Sequence, residues 1–427
     1  MSDHTVEADT FGDLLDEQKC NAALVLQESL EPVEGSDGVI FPATYAADDG
    51  SGSSTGRGRA LVRAVLDDGR AELRWKEPSF AGGYNIDYFD DGSNICQIDS
   101  VGSQANRMEP LFKSEPYSLL VPQITINIGT DREVVNLLDV GHRAGDALVR
   151  FTELGPEIWT AFLDLRDKGN ASPLAKISPM SLVFGVWDSR GTQTKVPRVI
   201  RSVIRAYDVR RLSRSAQYNP PVDYVAKKEA SVPIVDPKND SGKGENNPLS
   251  REGMNDNPAV SKHGGVVAKE IRRDVAINLA AIRALRGSSE DESRQLQRYI
   301  LGLALVAATA IHDKRFNLRE GCQLRLQSEP NWRVVPFIGK DEPLTELTPE
   351  VALEFAQPAA NDFCVGVNRH VTFSSDTADA WLAKSKKEQD EVRKSDAVMT
   401  LLGSTNDPNA AKPKKKQATS AKSGKEE

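Results

Sequence analysis

Between residues 23 and 30 (ALVLQESL) apolar and polar side chains alternate, the period of a strand with one buried face. Residues 60–66 and 71–75 flank an Asp-Asp-Gly turn at Asp67 to Gly69, and residues 84–89 and 94–98 flank a second at Asp90 to Gly92. Two β-hairpins are predicted there. Farther on the period lengthens: Ile271, Val275, Leu279 and Ile282 recur at helical spacing, with Arg272, Arg283 and Arg286 bordering the apolar stripe. A second, more hydrophobic helix is predicted over roughly residues 292–311, followed by a strand pair or turn at 317–326 and a strand at 332–337. The longest apolar run, 300–311, is too short to span a bilayer and reads as a core helix.

Residues 198–214 admit two geometries. On a helix, Arg198, Arg201 and Arg205 fall opposite Val199, Ile200, Val203, Ile204 and Tyr207, with Pro197 tolerable in a first turn. The β-branched content equally permits a strand, on which Arg201, Val203, Arg205 and Tyr207 share a face. Either geometry displays at least two arginines together.

Punctuation between the periodic segments gives the organisation. Residues 1–20 are acidic and polar and predict a loosely ordered segment ahead of a core spanning 21–375. Within that core, 48–58 is a Gly- and Ser-rich loop, the hairpins occupy 57–98, and 220–263 is a long loop rich in Pro, Asn, Lys, Ser and Gly. A C-terminal helix is expected over 376–402, and residues 403–427, which include KPKKK at 412–416, predict a disordered tail. No internal repeat is found.

Composition describes a globular chain of 427 residues with ample material for a core. The first residues lack the charged and apolar regions of a secretory signal, so a cytoplasmic protein is expected, with no membrane partner. Cys20, Cys96, Cys322 and Cys364 are few and widely spaced, which predicts reduced, mostly buried thiols. His263, His312, Cys322, Cys364 and His370 show none of the usual zinc spacings, and no metal or other cofactor is expected.

The net charge of −8 argues against a generic nucleic-acid binder, but it hides an asymmetry. Residues 1–50 hold twelve Asp or Glu and one Lys, whereas residues 190–228 hold ten Lys or Arg against Asp208 and Asp223. Such a basic stripe steers an anionic partner even on an acidic protein, because fields beyond about 8 Å are largely screened at physiological salt.

The candidate chemistry is that of a surface following a polyanion backbone. Lys195, Arg198, Arg201, Arg205, Arg210, Arg211 and Arg214 offer charge-assisted contacts to phosphate oxygens. Ser103, Gln104, Asn106 and Arg107 supply short polar donors after a tight turn, or else cap that turn themselves. His142 with Arg143 offers a phosphate grip, or His142 simply ends a strand. Tyr207, Tyr218 and Tyr224 interleave the basic run as stacking groups, or belong to the core. His263 beside Gly264 and Gly265 is a further candidate, or a loop histidine with no role, and Trp187 is assigned to the core rather than to a stacking platform. A histidine ribonuclease would need His142 and His263, with Tyr218, around one phosphate, and nothing in the spacing brings them together. Asp139, Asp146, Asp188 and Asp208 read as turn or ion-pair residues rather than a metal-nuclease cluster.

Six blocks in one order carry a resemblance: 98–109 (IDSVGSQANRME), 138–147 (LDVGHRAGDA), 181–190 (SLVFGVWDSR), 198–209 (RVIRSVIRAYDV), 213–218 (SRSAQY) and 263–266 (HGGV). They are similar to the backbone subunit of type I-G (formerly I-U) CRISPR effector (Cascade) complexes, in the RAMP superfamily, over roughly residues 22–375. The resemblance implies an α+β fold with an RRM-like (ferredoxin-like) core and large insertions. It implies copies assembling head to tail along a CRISPR RNA, beside other subunits of the complex, with the guide exposed for pairing with target DNA. The glycine-rich loop of the superfamily's processing nucleases has no counterpart, since HGGV holds only a Gly pair. A non-catalytic RNA-binding role in antiviral defence is therefore expected; the alternative is a standalone RNA-binding protein or endoribonuclease of the same fold.

Overall fold

The computed structural model describes residues 11–45, 60–65, 71–76, 83–129, 134–218, 257–261, 263–314, 316–345, 347–393 and 402. The expected loop at 48–58, the tail at 403–427 and Tyr224 lie outside the described residues.

The architecture is α+β, built on one eight-stranded antiparallel sheet. In chain order its strands are β1 (Asn21–Pro32), β2 (Ile86–Tyr88), β3 (Asn94–Asp99), β4 (Ile200–Tyr207), β5 (Glu270–Asn278), β6 (Leu324–Leu326), β7 (Asn331–Pro336) and β8 (Glu342–Leu344). Their spatial order is β8-β7-β1-β5-β4-β3-β2, with β6 also paired to β1. β1 follows the alternation of its sequence: Leu24, Leu26, Glu28 and Leu30 are buried and the residues between them are half-buried. Outside the sheet, Ala60–Val65 pairs with Ala71–Lys76 as a separate hairpin.

Helices cover one face of the sheet. Helix α1 (Val101–Met108) follows β3, α2 (Gly155–Lys168) lies in the long β3-to-β4 connection, α3 (Glu290–Thr309) follows β5, and α4 (Pro349–Phe363) follows β8. α3 opens on a Ser289 cap with Glu290, Asp291 and Glu292 in its first turn, where the helix dipole favours acids. From Tyr299 to Thr309 every side of it is buried, as expected of a helix that is apolar all round. Gly302 lets α4 approach closely: a Cβ there would stand 2.9 Å from the Cα of Ala356. No described helix is long and apolar enough to cross a membrane.

The structure resolves the 198–214 ambiguity in favour of a strand, because β4 pairs with β5 through its whole length, from Ile200↔Ile277 to Tyr207↔Glu270. It overturns the helix expected from Ile271: Glu270–Asn278 is a strand, and only Leu279–Arg283 is helical. The reason is Arg273, which is wholly buried and holds the inward position between Ile271 and Val275. Ser103, Gln104, Asn106 and Arg107 lie on α1, capped by Ser100, rather than following a tight turn.

Other departures concern packing. Within the acidic segment Phe11 and Leu14 belong to the main hydrophobic core, whereas Asp16 to Cys20 are exposed. Residues 257–261, expected as loop, form a strand against Arg214–Tyr218. The stretch expected as one helix over 376–402 contains two, Ser375–Leu382 and Lys386–Arg393. Cys20 and Cys364 are exposed; Cys96 and Cys322 are buried, and burial pushes both thiols up to about 12.

Candidate nucleic-acid interface

β4 organises the basic residues. Ile200, Ser202, Ile204 and Ala206 share one face of β4 and are buried; Arg201, Val203, Arg205 and Tyr207 alternate with them on the other, where Arg201 is exposed, Arg205 and Tyr207 are half-buried and Val203 is buried. At about 3.3 Å per residue, Arg201 and Arg205 stand roughly 13 Å apart along the strand. Arg201 is exposed opposite Ala276, and Arg205 lies between Arg272 on β5 and Gln97 on β3. Asp274 offsets part of this charge, 2.8 Å from Arg272 Nε and 3.9 Å from Arg205 Nη1. Arg272 also donates to Tyr207 Oη at 2.8 Å, and its guanidinium sits 4.7 Å from the Tyr207 ring centroid. Tyr207 is thus already stacked by an arginine of its own sheet.

The track continues beyond both ends of β4. Past its C-terminal end, Arg210 and Arg211 pair with Val267 and Val266, and both side chains are exposed. Arg214 follows, its guanidinium 5.5 Å from the Phe41 ring. His263 packs at this end, edge-on to Tyr84 at 5.5 Å. Before the N-terminal end, Arg198 is exposed, and partial burial of its guanidinium together with the nearby Arg143 charge lowers its proton affinity. Lys195 lies one step farther, on a two-stranded ribbon with Val186–Trp187.

Several candidates from the sequence serve the fold instead. Gln104 is fully buried: it donates to Asp99 Oδ2 at 2.6 Å and accepts from Ser202 Oγ at 2.7 Å and Arg273 Nε at 3.2 Å. Arg107 donates to Asp99 Oδ2 at 3.0 Å and to the Leu318 carbonyl at 2.7 Å, tying α1 to the loop before β6. Arg143 is buried against Glu109 at 2.9 Å and donates to the Gly185 carbonyl at 3.0 Å. Gln104 and Arg143 are therefore corrected from surface donors to internal struts, since an amide or guanidinium with its donors satisfied in the core has none to offer a phosphate. Ser103 is half-buried at the Ser100 cap, and Asn106 is exposed. The side chain of Tyr218 lies outside the described residues.

His142 is exposed, with Nδ1 3.2 Å from Asp146 Oδ2. It precedes the turn Arg143–Gly145, which packs on the ribbon: a Cβ at Gly145 would stand 3.1 Å from Val186 Cγ2. His142 and His263 thus lie toward opposite ends of β4, whose eight residues span about 26 Å. The four motif aspartates are engaged elsewhere: Asp139 with Lys113, Asp146 capping Ala147–Arg150, Asp188 with Arg150, and Asp208 with Lys269.

Trp187 overturns its assignment to the core. It is 56% exposed, the one exposed tryptophan among the described side chains. The contact of Arg272 with Tyr207 is a second feature that the sequence does not predict, because the periodicity there predicts a helix and only a strand sets Arg272 beside β4. The signal available for Trp187 was its position in a short ribbon flanked by Arg190, Lys195 and Arg198 rather than in a sustained apolar period.

Over residues 24–211 the chain matches the family described as CRISPR-associated protein GSU0053 (Cas_GSU0053). The match bears out the CRISPR-associated resemblance, and its span runs from β1 through β4 to Arg211. No curated protein matches the chain.

Proposed function

We propose that this chain is a non-catalytic CRISPR RNA-binding scaffold, copies of which line up head to tail along the guide in a type I-G effector complex. In that setting it works in the cytoplasm with the other subunits and presents the guide to target DNA. The observation that carries this reading is the line of exposed cations from Lys195 and Arg198 through Arg201 to Arg210, Arg211 and Arg214. Exposed cations on β4 and on the chain leading into and out of it suit a partner that repeats its own charge along its length. Such contacts position a nucleic acid without reading its bases, which a holder of arbitrary guides requires.

Strand order supports the RAMP-type assignment. β1, β4, β5 and β7 stand in the spatial order β7-β1-β5-β4, with helices between β1 and β4 and between β5 and β7. This order supports a β-α-β-β-α-β, ferredoxin-like (RRM-like) core in which the β2–β3 hairpin and the 208–269 segment are insertions. The separation of His142 from His263, and the engagement of Asp139, Asp188 and Asp208 with Lys113, Arg150 and Lys269, favour binding over cleavage.

The test is to express the tagged chain with its neighbouring genes and a repeat array, and to sequence the RNA that copurifies. Uniform repeat-spacer RNA is expected. Heterogeneous RNA would reduce the reading to a general RNA binder, and a preparation free of RNA would overturn it.

A further inference from the structure

Trp187 combines three features that an ordinary surface tryptophan lacks. Its ring is exposed although the other described tryptophans, Trp159, Trp332 and Trp381, are buried. Lys195, directly opposite in the ribbon, places its ammonium 5.7 Å from the ring centroid. The other exposed charges of the ribbon and its continuation into β4 are Arg190 and Arg198, and the one carboxylate there, Asp188, is buried and paired.

The ribbon is held rigidly. Asp188 Oδ1 accepts from Arg150 Nη2 at 2.6 Å, and Oδ2 accepts from the Thr192 amide at 2.6 Å and its hydroxyl at 2.9 Å. Arg166 on α2 donates to the Thr192 carbonyl at 2.8 Å, and Thr194 donates to the Phe162 carbonyl at 3.3 Å. A flat ring fixed in this way loses little freedom on binding, and the cations around it draw an anionic chain across its face.

We infer that Trp187 is a base-stacking platform: one unpaired nucleobase of a single-stranded RNA lies on the indole while Lys195 and Arg198 hold the flanking phosphates. This rests on the RNA-scaffold reading and adds to it a contact to a base. Stacking tolerates any base, because every base has a π-face, so the platform is compatible with guides of arbitrary sequence. It also marks where the RNA leaves the open face of the sheet, beyond the Arg198 end of β4.

The experiment measures binding of the full chain to labelled single-stranded RNA, intact or carrying a run of abasic sites, for wild type, Trp187→Ala, Trp187→Phe and Arg201→Ala/Arg205→Ala. Near-ultraviolet circular dichroism confirms that each variant is folded. Trp187→Ala should weaken binding to intact RNA about 5- to 100-fold, with Trp187→Phe close to wild type. On abasic RNA, Trp187→Ala and wild type should bind alike. Equal losses on both RNAs, or no loss on either, would overturn the platform, even if Arg201→Ala/Arg205→Ala still weakens binding and the scaffold reading stands. Unchanged RNA binding with reduced self-association would assign Trp187 to a protein interface and equally overturn it. Failure of the wild type to bind RNA would reject the scaffold reading itself, and the platform with it.

Discussion

Arg273 and Glu28 form an ion pair of 2.9 Å in which the side chains are 0% and 2% exposed. Arg273 gathers four parts of the fold around it: Glu28 on β1, Ser202 on β4, Gln104 on α1 and the Ala308 carbonyl near the end of α3. Ser202 sits next to Arg201, so the same cluster that closes the core also sets the strand carrying the exposed cations. Removing Arg273 leaves the buried Glu28 carboxylate with only the His312 ring, 3.0 Å away, in place of a guanidinium. Arg273→Met should lower stability by about 3–5 kcal/mol in denaturant titration, whereas Arg273→Met/Glu28→Met should recover much of that loss. A double variant as unstable as the single one would show that packing, not charge, dominates the site.

Acid should act through the same pair. Burial alone would raise the Glu28 carboxyl, but Arg273 and His312 outweigh it and hold Glu28 below its usual value. A carboxyl depressed in the folded state contributes stability above its unfolded value, about 4.3, and loses it as pH falls through the folded value. Glu28→Gln should therefore be less stable than wild type at neutral pH, with the gap narrowing below about pH 4. A gap that stays constant from neutral to acid pH in denaturant titrations would contradict this assignment.

The open-face arginines should govern salt dependence. Each phosphate released from contact reduces the log-log salt slope of single-strand binding by about 0.7, so Arg201→Ala/Arg205→Ala should flatten it by roughly 1.4. Stability should change by less than about 0.5 kcal/mol per site, because Arg201 is exposed and Arg205 makes only a 3.9 Å ion pair. An unchanged slope in a folded variant would move the RNA off this face.

Neighbours on α1 should part company. Gln104→Ala strips partners from Asp99, Ser202 and Arg273 and should cost about 1–3 kcal/mol in thermal or chemical denaturation. Asn106→Ala, at an exposed position two residues on, should be near neutral for stability. Equal costs at the two positions would mean that the buried network is not what holds α1 to the sheet.

Periodicity was enough to find β1, the two hairpins and α3, because in each the side-chain pattern and the turn residues agree. It could not choose a geometry for 198–214, since Arg201 and Arg205 are four apart and share a face in either form. It failed at 270–278 for a single cause: the inward position at Arg273 carries a charge, so the strand period Ile271, Arg273, Val275, Ile277 is broken in sequence but intact in space. Burying that charge is tolerable only because Glu28, Gln104, Ser202 and Ala308, from 35 to 245 residues away, converge on it.

The amino-acid sequence by itself therefore determined the α+β class, the basic stretch from Lys195 to Arg214 and the CRISPR-associated resemblance, all of which depend on local pattern or residue order. Only the tertiary structure decided which polar residues face solvent. Gln104 and Arg143 went inside and Trp187 outside, because exposure depends on what distant segments pack against a side chain, and composition and spacing do not record that.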